Sequence, residues 1–383
     1  MAGSPAASAS ELRGSPGRKV QWTFTAGRYY GEKYRGRGVW GVGLYPPGKK
    51  VTVAVPVDFP DGALEASVID DLARVEATLQ EVTHPSDELL TEVSRHGVEA
   101  GGKRFRAMLV LLAAQFGSAP SDPQVIKAAV TIELTHLATL FHDDVMDEAE
   151  IRRGSDSVNA RWGNSVAILA GDFLFAQASL LLAELGPDAV RIQAETFMRL
   201  VTGQTAETVG PRPGQDPLEH YLYVITEKTG SLMATSGLFG AMYAGASDEV
   251  AERIARACEQ IGVAWQLSDD VIDVASDSAQ SGKTPGTDLR QGVPTLPVLY
   301  ALRSTDPADA RLRSLLDGTI ALDDDSSVEE ALSLLRAHHC MAEARADVLS
   351  WINAARTEIM ALPEVPARAA FLAMCDFVVK RTG

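Results

Sequence analysis

From about Leu64 onward, apolar residues recur at spacings of three and four over residues 68–79, 108–116, 125–145, 166–185, 190–201, 250–274, 328–335 and 342–360. That period predicts helices with one apolar face or stripe. Short breaks rich in Gly, Pro or small polar residues separate them at 83–86, 117–123, 186–188, 211–217 and 276–287. Strand-type alternation is nearly absent outside 51–56. The pattern predicts one all-α domain over residues 56–383, a large helical bundle of about ten or more helices with its ligand site on facing helices.

Residues 1–55 break the pattern. Gly, Ser, Pro and aromatic residues dominate, and the first fifty positions carry nine Lys or Arg against two Glu. The opening is acid-poor, as transit peptides are, yet 27–38 is no amphipathic helix. Three readings stand: a basic tail without chemistry, which is the expectation, a targeting segment, or extraneous upstream sequence. The longest uncharged stretch, 229–247, could span a bilayer by length. Its Gly, Ser, Thr and Ala content fits a buried helix packed closely on its neighbours instead, and no transmembrane segment is expected.

With 383 residues, 46% of them hydrophobic, the chain can bury a sizeable core. A formal charge of −16 argues against a nucleic-acid partner held by phosphate neutralisation. It leaves diphosphates open, because a bound metal inverts the local sign. Cys258, Cys340 and Cys375 are scattered without metal-ligand spacing, which fits a reducing cytoplasm.

Two copies of one acidic pattern stand out, Asp143-Asp144-Val145-Met146-Asp147 and Asp269-Asp270-Val271-Ile272-Asp273, each ending an apolar helical stretch. Residues four apart share a helix face, so Asp143 pairs with Asp147, and Asp269 with Asp273. Like charges this close need a cation between them. Hard oxygen donors with no Cys or His favour Mg²⁺, which takes its remaining ligands from water and substrate phosphates. Two such helix ends facing each other would clamp a diphosphate through metal.

Basic residues fall where that reading needs them. Lys103 and Arg106, in Gly-Gly-Lys-Arg-Phe-Arg, open a helix, where backbone amides and the dipole favour an anion. His136 lies two turns before Asp143 on nearly the same face. His142 is expected to point elsewhere. Arg152-Arg153-Gly154 follows the first pattern and can reach two phosphate groups with bidentate geometry. Lys228-Thr229 opens the small-residue stretch, Gln266 shares the inward face of the second pattern, and Lys283 lies in the loop after it. No Ser-His-Asp set, P-loop or dinucleotide fingerprint is present.

These motifs, in this order and spacing, resemble the trans-isoprenyl (polyprenyl) diphosphate synthase family: Gly-Gly-Lys-Arg-Phe-Arg, HDDVMDEAEIRRG, Glu-Lys-Thr-Gly, WQLSDDVID and GKTPGTDLRQGVPTLP. The match runs over about residues 64–383. Two positions depart from the family: Ala107 where proline is usual, and Val293 where many members carry lysine.

The resemblance implies an isoprenoid-synthase bundle and a Mg²⁺-dependent 1′-4 condensation. Two to three ions would be held by Asp143, Asp147, Asp269 and Asp273. Arg152, Lys228 and Lys283, with Thr229 and Gln266, would receive the allylic diphosphate. Lys103, Arg106, His136 and Arg153 would anchor isopentenyl diphosphate. It further implies a homodimer, with peripheral membrane contact where the apolar product leaves. In the family, bulky residues just before the first aspartate stop growth. Here Thr139 and Ala138 are small, with small Thr135 and Thr131 a turn and two turns deeper, so a long chain is expected, closest to the heptaprenyl-to-nonaprenyl synthases that make quinone side chains. The alternatives are a geranylgeranyl diphosphate synthase and a non-catalytic subunit of a heteromeric synthase.

Overall fold

The computed structural model describes residues 59–84, 87–100, 104–275, 285–320 and 324–382. Lys103 and Lys283, both expected site residues, lie outside them, as does the basic N-terminal segment. The described residues form sixteen α-helices and one short hairpin, in line with the all-α reading.

The chain runs through α1 (Gly62–Val82), α2 (Glu88–Glu99), α3 (Phe105–Ala114) and α4 (Pro123–Met146) into the hairpin β1 (Ile151–Arg152) and β2 (Ser155–Asp156). Then follow α5 (Val158–Trp162), α6 (Asn164–Leu185), α7 (Pro187–Val209), α8 (Pro217–Ile225), a π-turn (Thr226–Gly230), α9 (Ser231–Tyr243) and α10 (Asp248–Ala275). The remainder is α11 (Thr287–Arg290), α12 (Leu296–Leu302), α13 (Ala310–Leu316), α14 (Asp325–Ala337), α15 (Cys340–Met360) and α16 (Pro366–Lys380).

Local chemistry explains the boundaries. Asp61, Asp122 and Asp216 cap α1, α4 and α8 by accepting hydrogen bonds from first-turn amides, and Pro123 and Pro217 occupy the first helical positions. Gly186 at φ 109° followed by Pro187 separates α6 from α7 within a single residue.

Helices α3, α4, α9 and α10 form the centre. In α3 the run from Ala107 to Ala114 is fully buried. The small residues of α9 let it sit against α3: a Cβ at Gly240 would lie 2.0 Å from the Val110 carbonyl oxygen. The uncharged stretch is thus a closely packed core helix, as its composition predicts. Helix α6 is the one described helix long and apolar enough to cross a membrane, and it packs along α4. Ile168, Leu169 and Leu180 on the same helix are exposed.

Candidate active site

A cavity of about 770 Å³ opens between α3, α4, α6, α7, the π-turn, α9 and α10. Its polar lining includes Arg106, His136, Asp143, Asp147, Arg152, Arg153, Lys228, Thr229 and Gln266, and its apolar lining includes Phe175, Phe197, Leu200, Val201, Leu232 and Met233. These nine were expected at the site from the sequence, whereas Gln204, which also lines the cavity, was not.

Asp143 and Asp147 end α4 one turn apart and both face the cavity. Burial raises the Asp143 carboxyl above its usual range, and Lys228 opposes the rise. The Lys228 ammonium reaches Glu207 of α7 at 2.5 Å. Lys228 and Thr229 sit on the π-turn, a feature frequent at functional sites. Gly203 of α7 makes room for that turn, since a Cβ there would meet the Lys228 amide nitrogen at 2.6 Å.

The two arginines arrive on the hairpin, which the sequence pattern did not predict. Arg153 (φ 54°) and Gly154 (φ 80°) are both left-handed, the requirement of a two-residue type I′ turn. Its signal was Arg-Gly between two short segments, too brief for period analysis. The turn directs Arg152 onto Asp144, which is 2% exposed: Arg152 Nε donates to Asp144 Oδ1 at 2.6 Å. Asp144 therefore orients Arg152 while its neighbours Asp143 and Asp147 face the cavity.

His136 is half-buried in the cavity lining, and desolvation, then Arg106 and Arg153, hold its pKa well below the usual value. That shift favours the neutral imidazole. Arg106 is lowered by burial to about 10, and its Nε is buried with no hydrogen-bond partner in the protein. His142, expected to point away, lines the cavity rim with Nε2 3.1 Å from the Ile168 carbonyl oxygen and its ring beside Phe175.

The second acidic pattern differs. Asp269, Asp270 and Asp273 are not among the cavity-lining residues. Arg381, at the end of α16, donates to Asp269 and lies 4.1 Å over the Trp265 ring. Asp270 is buried, accepts from the Tyr221 hydroxyl and from the Leu296 amide at 3.2 Å, and burial pushes its pKa up to about 7. Asp273 accepts from the amides of Thr287 (3.1 Å) and Asp288 (3.3 Å), which shapes the start of α11. Arg381, Tyr221 and Glu207 carried no sequence signal.

Of the expected chain-length positions, Thr139 lines the cavity. Ala138 and Thr135 are fully buried behind the wall, and Thr135 accepts a hydrogen bond from Gln193 at 2.8 Å. Thr131 is fully buried as well. The apolar wall is formed instead by Phe175 and Phe197, with ring centroids 4.7 Å apart.

The donor set at the first pattern is carboxylate oxygen, which suits a hard divalent cation. Among the described residues no three acid, His or Cys side chains gather closely enough to hold an ion alone. An ion at Asp143 and Asp147 would therefore complete its shell with water and phosphate oxygens, as Mg²⁺ characteristically does.

Comparison with known proteins follows the same lines. The model of the Polyprenyl synthetase family matches residues 87–335. A nonaprenyl diphosphate synthase of Mycobacterium tuberculosis is 50% identical over 332 residues, covering 87% of this chain and 98% of that protein. A dimethylallyltranstransferase of the same organism is 43% identical over 84% of this chain and 98% of its own length. A geranylgeranyl pyrophosphate synthase from Corynebacterium glutamicum, crystallised with calcium and isoprenyl diphosphate, superposes with a TM-score of 0.77 at 47% identity, over 85% of this chain and all of that one. The chain belongs to the polyprenyl synthetase family and is a prenyl-group transferase.

Proposed function

We propose that this chain condenses isopentenyl diphosphate repeatedly with an allylic diphosphate, 1′-4 and trans, to a long-chain all-trans polyprenyl diphosphate that serves as a quinone side chain. The observation that carries the reading is the cavity itself, lined both by carboxylates and cations and by aromatic and aliphatic side chains.

Asp143 and Asp147, joined by Asp269 and Asp273, would hold Mg²⁺, which when bound supplies Lewis-acid stabilisation of the departing diphosphate. Lys228 and Arg152 bind the same diphosphate, Arg152 being held in place by Asp144. Their charges stabilise the leaving group as the allylic C–O bond breaks. Thr229 and Gln266 line the same cavity. Arg106, Arg153 and neutral His136, with Lys103, orient isopentenyl diphosphate so that its double bond faces the allylic carbon. The released diphosphate takes the final proton, and the apolar wall excludes water from the cation.

The nonaprenyl diphosphate synthase of M. tuberculosis and the apolar lining of the cavity support a product of about six to ten isoprene units. The Phe175–Phe197 pair and the C. glutamicum relative support a second reading, an earlier stop at geranylgeranyl diphosphate. Exposed Leu169 and Leu180 on α6 and Met198 on α7 support a homodimer through that face. The enzyme is cytoplasmic in this reading, with peripheral membrane contact for product release and no nucleic-acid partner.

The test is incubation with Mg²⁺, farnesyl diphosphate and excess isopentenyl diphosphate, with the dephosphorylated products sized by mass spectrometry. Long products are expected. Arrest after one addition selects the geranylgeranyl reading. Failure to elongate any allylic primer overturns both and leaves a non-catalytic subunit.

A further inference from the structure

Behind the anchoring cluster, and outside the cavity wall, lies a buried acid with no part in the reaction so far. Glu133 of α4 is 6% exposed and one turn before His136. A carboxylate so placed is costly unless both oxygens find partners. One oxygen accepts the Ala107 amide hydrogen at 3.0 Å, and the other lies 3.6 Å from Arg104 Nη1.

Both partners belong to the start of α3. Ala107 is its third residue, so its N–H is one of the amides that helix geometry leaves unsatisfied, and a negative charge is favoured there. Proline, usual at this position in the family, has no N–H to give. The bond exists in this chain because residue 107 is alanine.

Arg104 immediately precedes α3 in a left-handed conformation (φ 44°), which a non-glycine residue keeps only when its surroundings over-determine it. Here they do. Arg104 donates to both oxygens of Glu76 (2.8 and 3.1 Å) and to the Val98 carbonyl (3.0 Å), with Glu133 on its remaining side. Two residues on, Arg106 enters the cavity with an unpartnered, buried Nε. Glu133 is the acid whose charge offsets burial at Arg106, and it acts in the same sense on Arg153.

We propose that Glu133 is the positioning residue of the isopentenyl-diphosphate subsite, an internal counter-ion that anchors Arg104 and the Ala107 amide on either side of Arg106 and so ties the first turn of α3 to α4. It touches neither substrate, and it remains in place when the diphosphate arrives. The inference rests on the reading that Arg106, Arg153 and His136 receive isopentenyl diphosphate.

The sign of the effect separates positioning from plain electrostatics. A buried negative charge behind an anion site repels the anion, so on charge alone its removal would tighten diphosphate binding. On the positioning role its removal loosens Arg104 and the Ala107 amide from α4, Arg106 between them loses its fixed placement, and binding weakens.

The test uses the full chain, with steady-state kinetics in each substrate varied separately. Glu133→Gln keeps an oxygen for the Ala107 amide and removes the charge. Its KM for isopentenyl diphosphate is expected to rise about tenfold, with the KM for the allylic diphosphate within about twofold. Ala107→Pro keeps the charge, removes the donor, and is tolerated in a first helical turn. Its isopentenyl-diphosphate KM is expected to rise about threefold, and the double variant to be less than additive. Calorimetric binding of inorganic diphosphate without metal should weaken in both. An isopentenyl-diphosphate KM that is unchanged or lowered in Ala107→Pro, or in a folded Glu133→Gln, overturns the proposal, as does an equal rise in both KM values. A wild-type chain that elongates no primer overturns the functional reading instead.

Discussion

The two acidic patterns are near-copies in sequence and opposites in tertiary setting. In the first, Asp143 and Asp147 face the cavity, while Asp144 turns away to hold Arg152. In the second, all three aspartates engage the protein's own groups: Asp269 with Arg381, Asp270 with Tyr221 and the Leu296 amide, Asp273 with two amides of α11. The difference lies in what packs on each helix end. Beyond α4 stands an open cavity. Around the end of α10 stand α8, α11, α12 and α16, each bringing a donor. A metal reaching the second pattern must therefore compete with Arg381 for Asp269, whereas the first pattern presents its carboxylates directly.

Four measurements break or sharpen that contrast, the largest effect first. Asp143→Asn removes an open carboxylate and is expected to lower kcat by roughly 10³-fold, read in a single-turnover condensation assay. A residual rate within tenfold of wild type would remove the first pattern from the chemistry.

The next concerns Asp270. Its folded pKa of about 7 lies above the unfolded value, so the neutral carboxyl is the form the fold favours. The stability it contributes is fully present below about pH 4 and is lost as the pH rises through 7. Between pH 5 and pH 8 the loss is roughly 2.5 kcal/mol. Urea unfolding in EDTA should show wild type losing that much relative to Asp270→Asn, and parallel pH profiles would contradict the burial argument.

Asp144→Asn should release Arg152 and raise the KM for the allylic diphosphate about tenfold, because a charge-assisted bond is replaced by a weaker one. The isopentenyl-diphosphate KM serves as the internal control. Smallest is Arg381→Gln. Freed of its partner, Asp269 should accept metal more readily, and the Mg²⁺ concentration for half-saturation should fall about fivefold, the worth of a partly exposed ion pair. Trp265, released from the stacked guanidinium, reports the same event in a fluorescence titration. Weaker metal affinity in this variant would mean that Arg381 assists the site rather than competing for it.

Much of this was legible in the chain. Helical period and the four-residue spacing were enough to put Asp143 and Asp147 on one face, and Gly186-Pro187 marked a helix boundary to the residue. Nine polar residues named by the motifs line one cavity, because each motif is short and sits at a helix end whose direction the local pattern sets, but Asp269 and Asp273 do not line it. Tertiary placement was not legible. Arg381 meets Asp269 across 112 positions, and Tyr221 meets Asp270 across 49. No local period encodes such pairs. Ala138 and Thr135 show the same limit from the other side: they are small, as read, but α6 and α7 cover them, and the wall falls to Phe175 and Phe197.

The sequence by itself determined the helices, their caps and breaks, and the residue types gathered at the diphosphate end, since these follow from interactions within a few turns of chain. Only the tertiary structure decided which carboxylates stand open, which arginines line the cavity and which pair within the fold, and where the apolar wall lies. Those outcomes depend on desolvation and on partners brought from distant segments, and both exist only once the helices have packed.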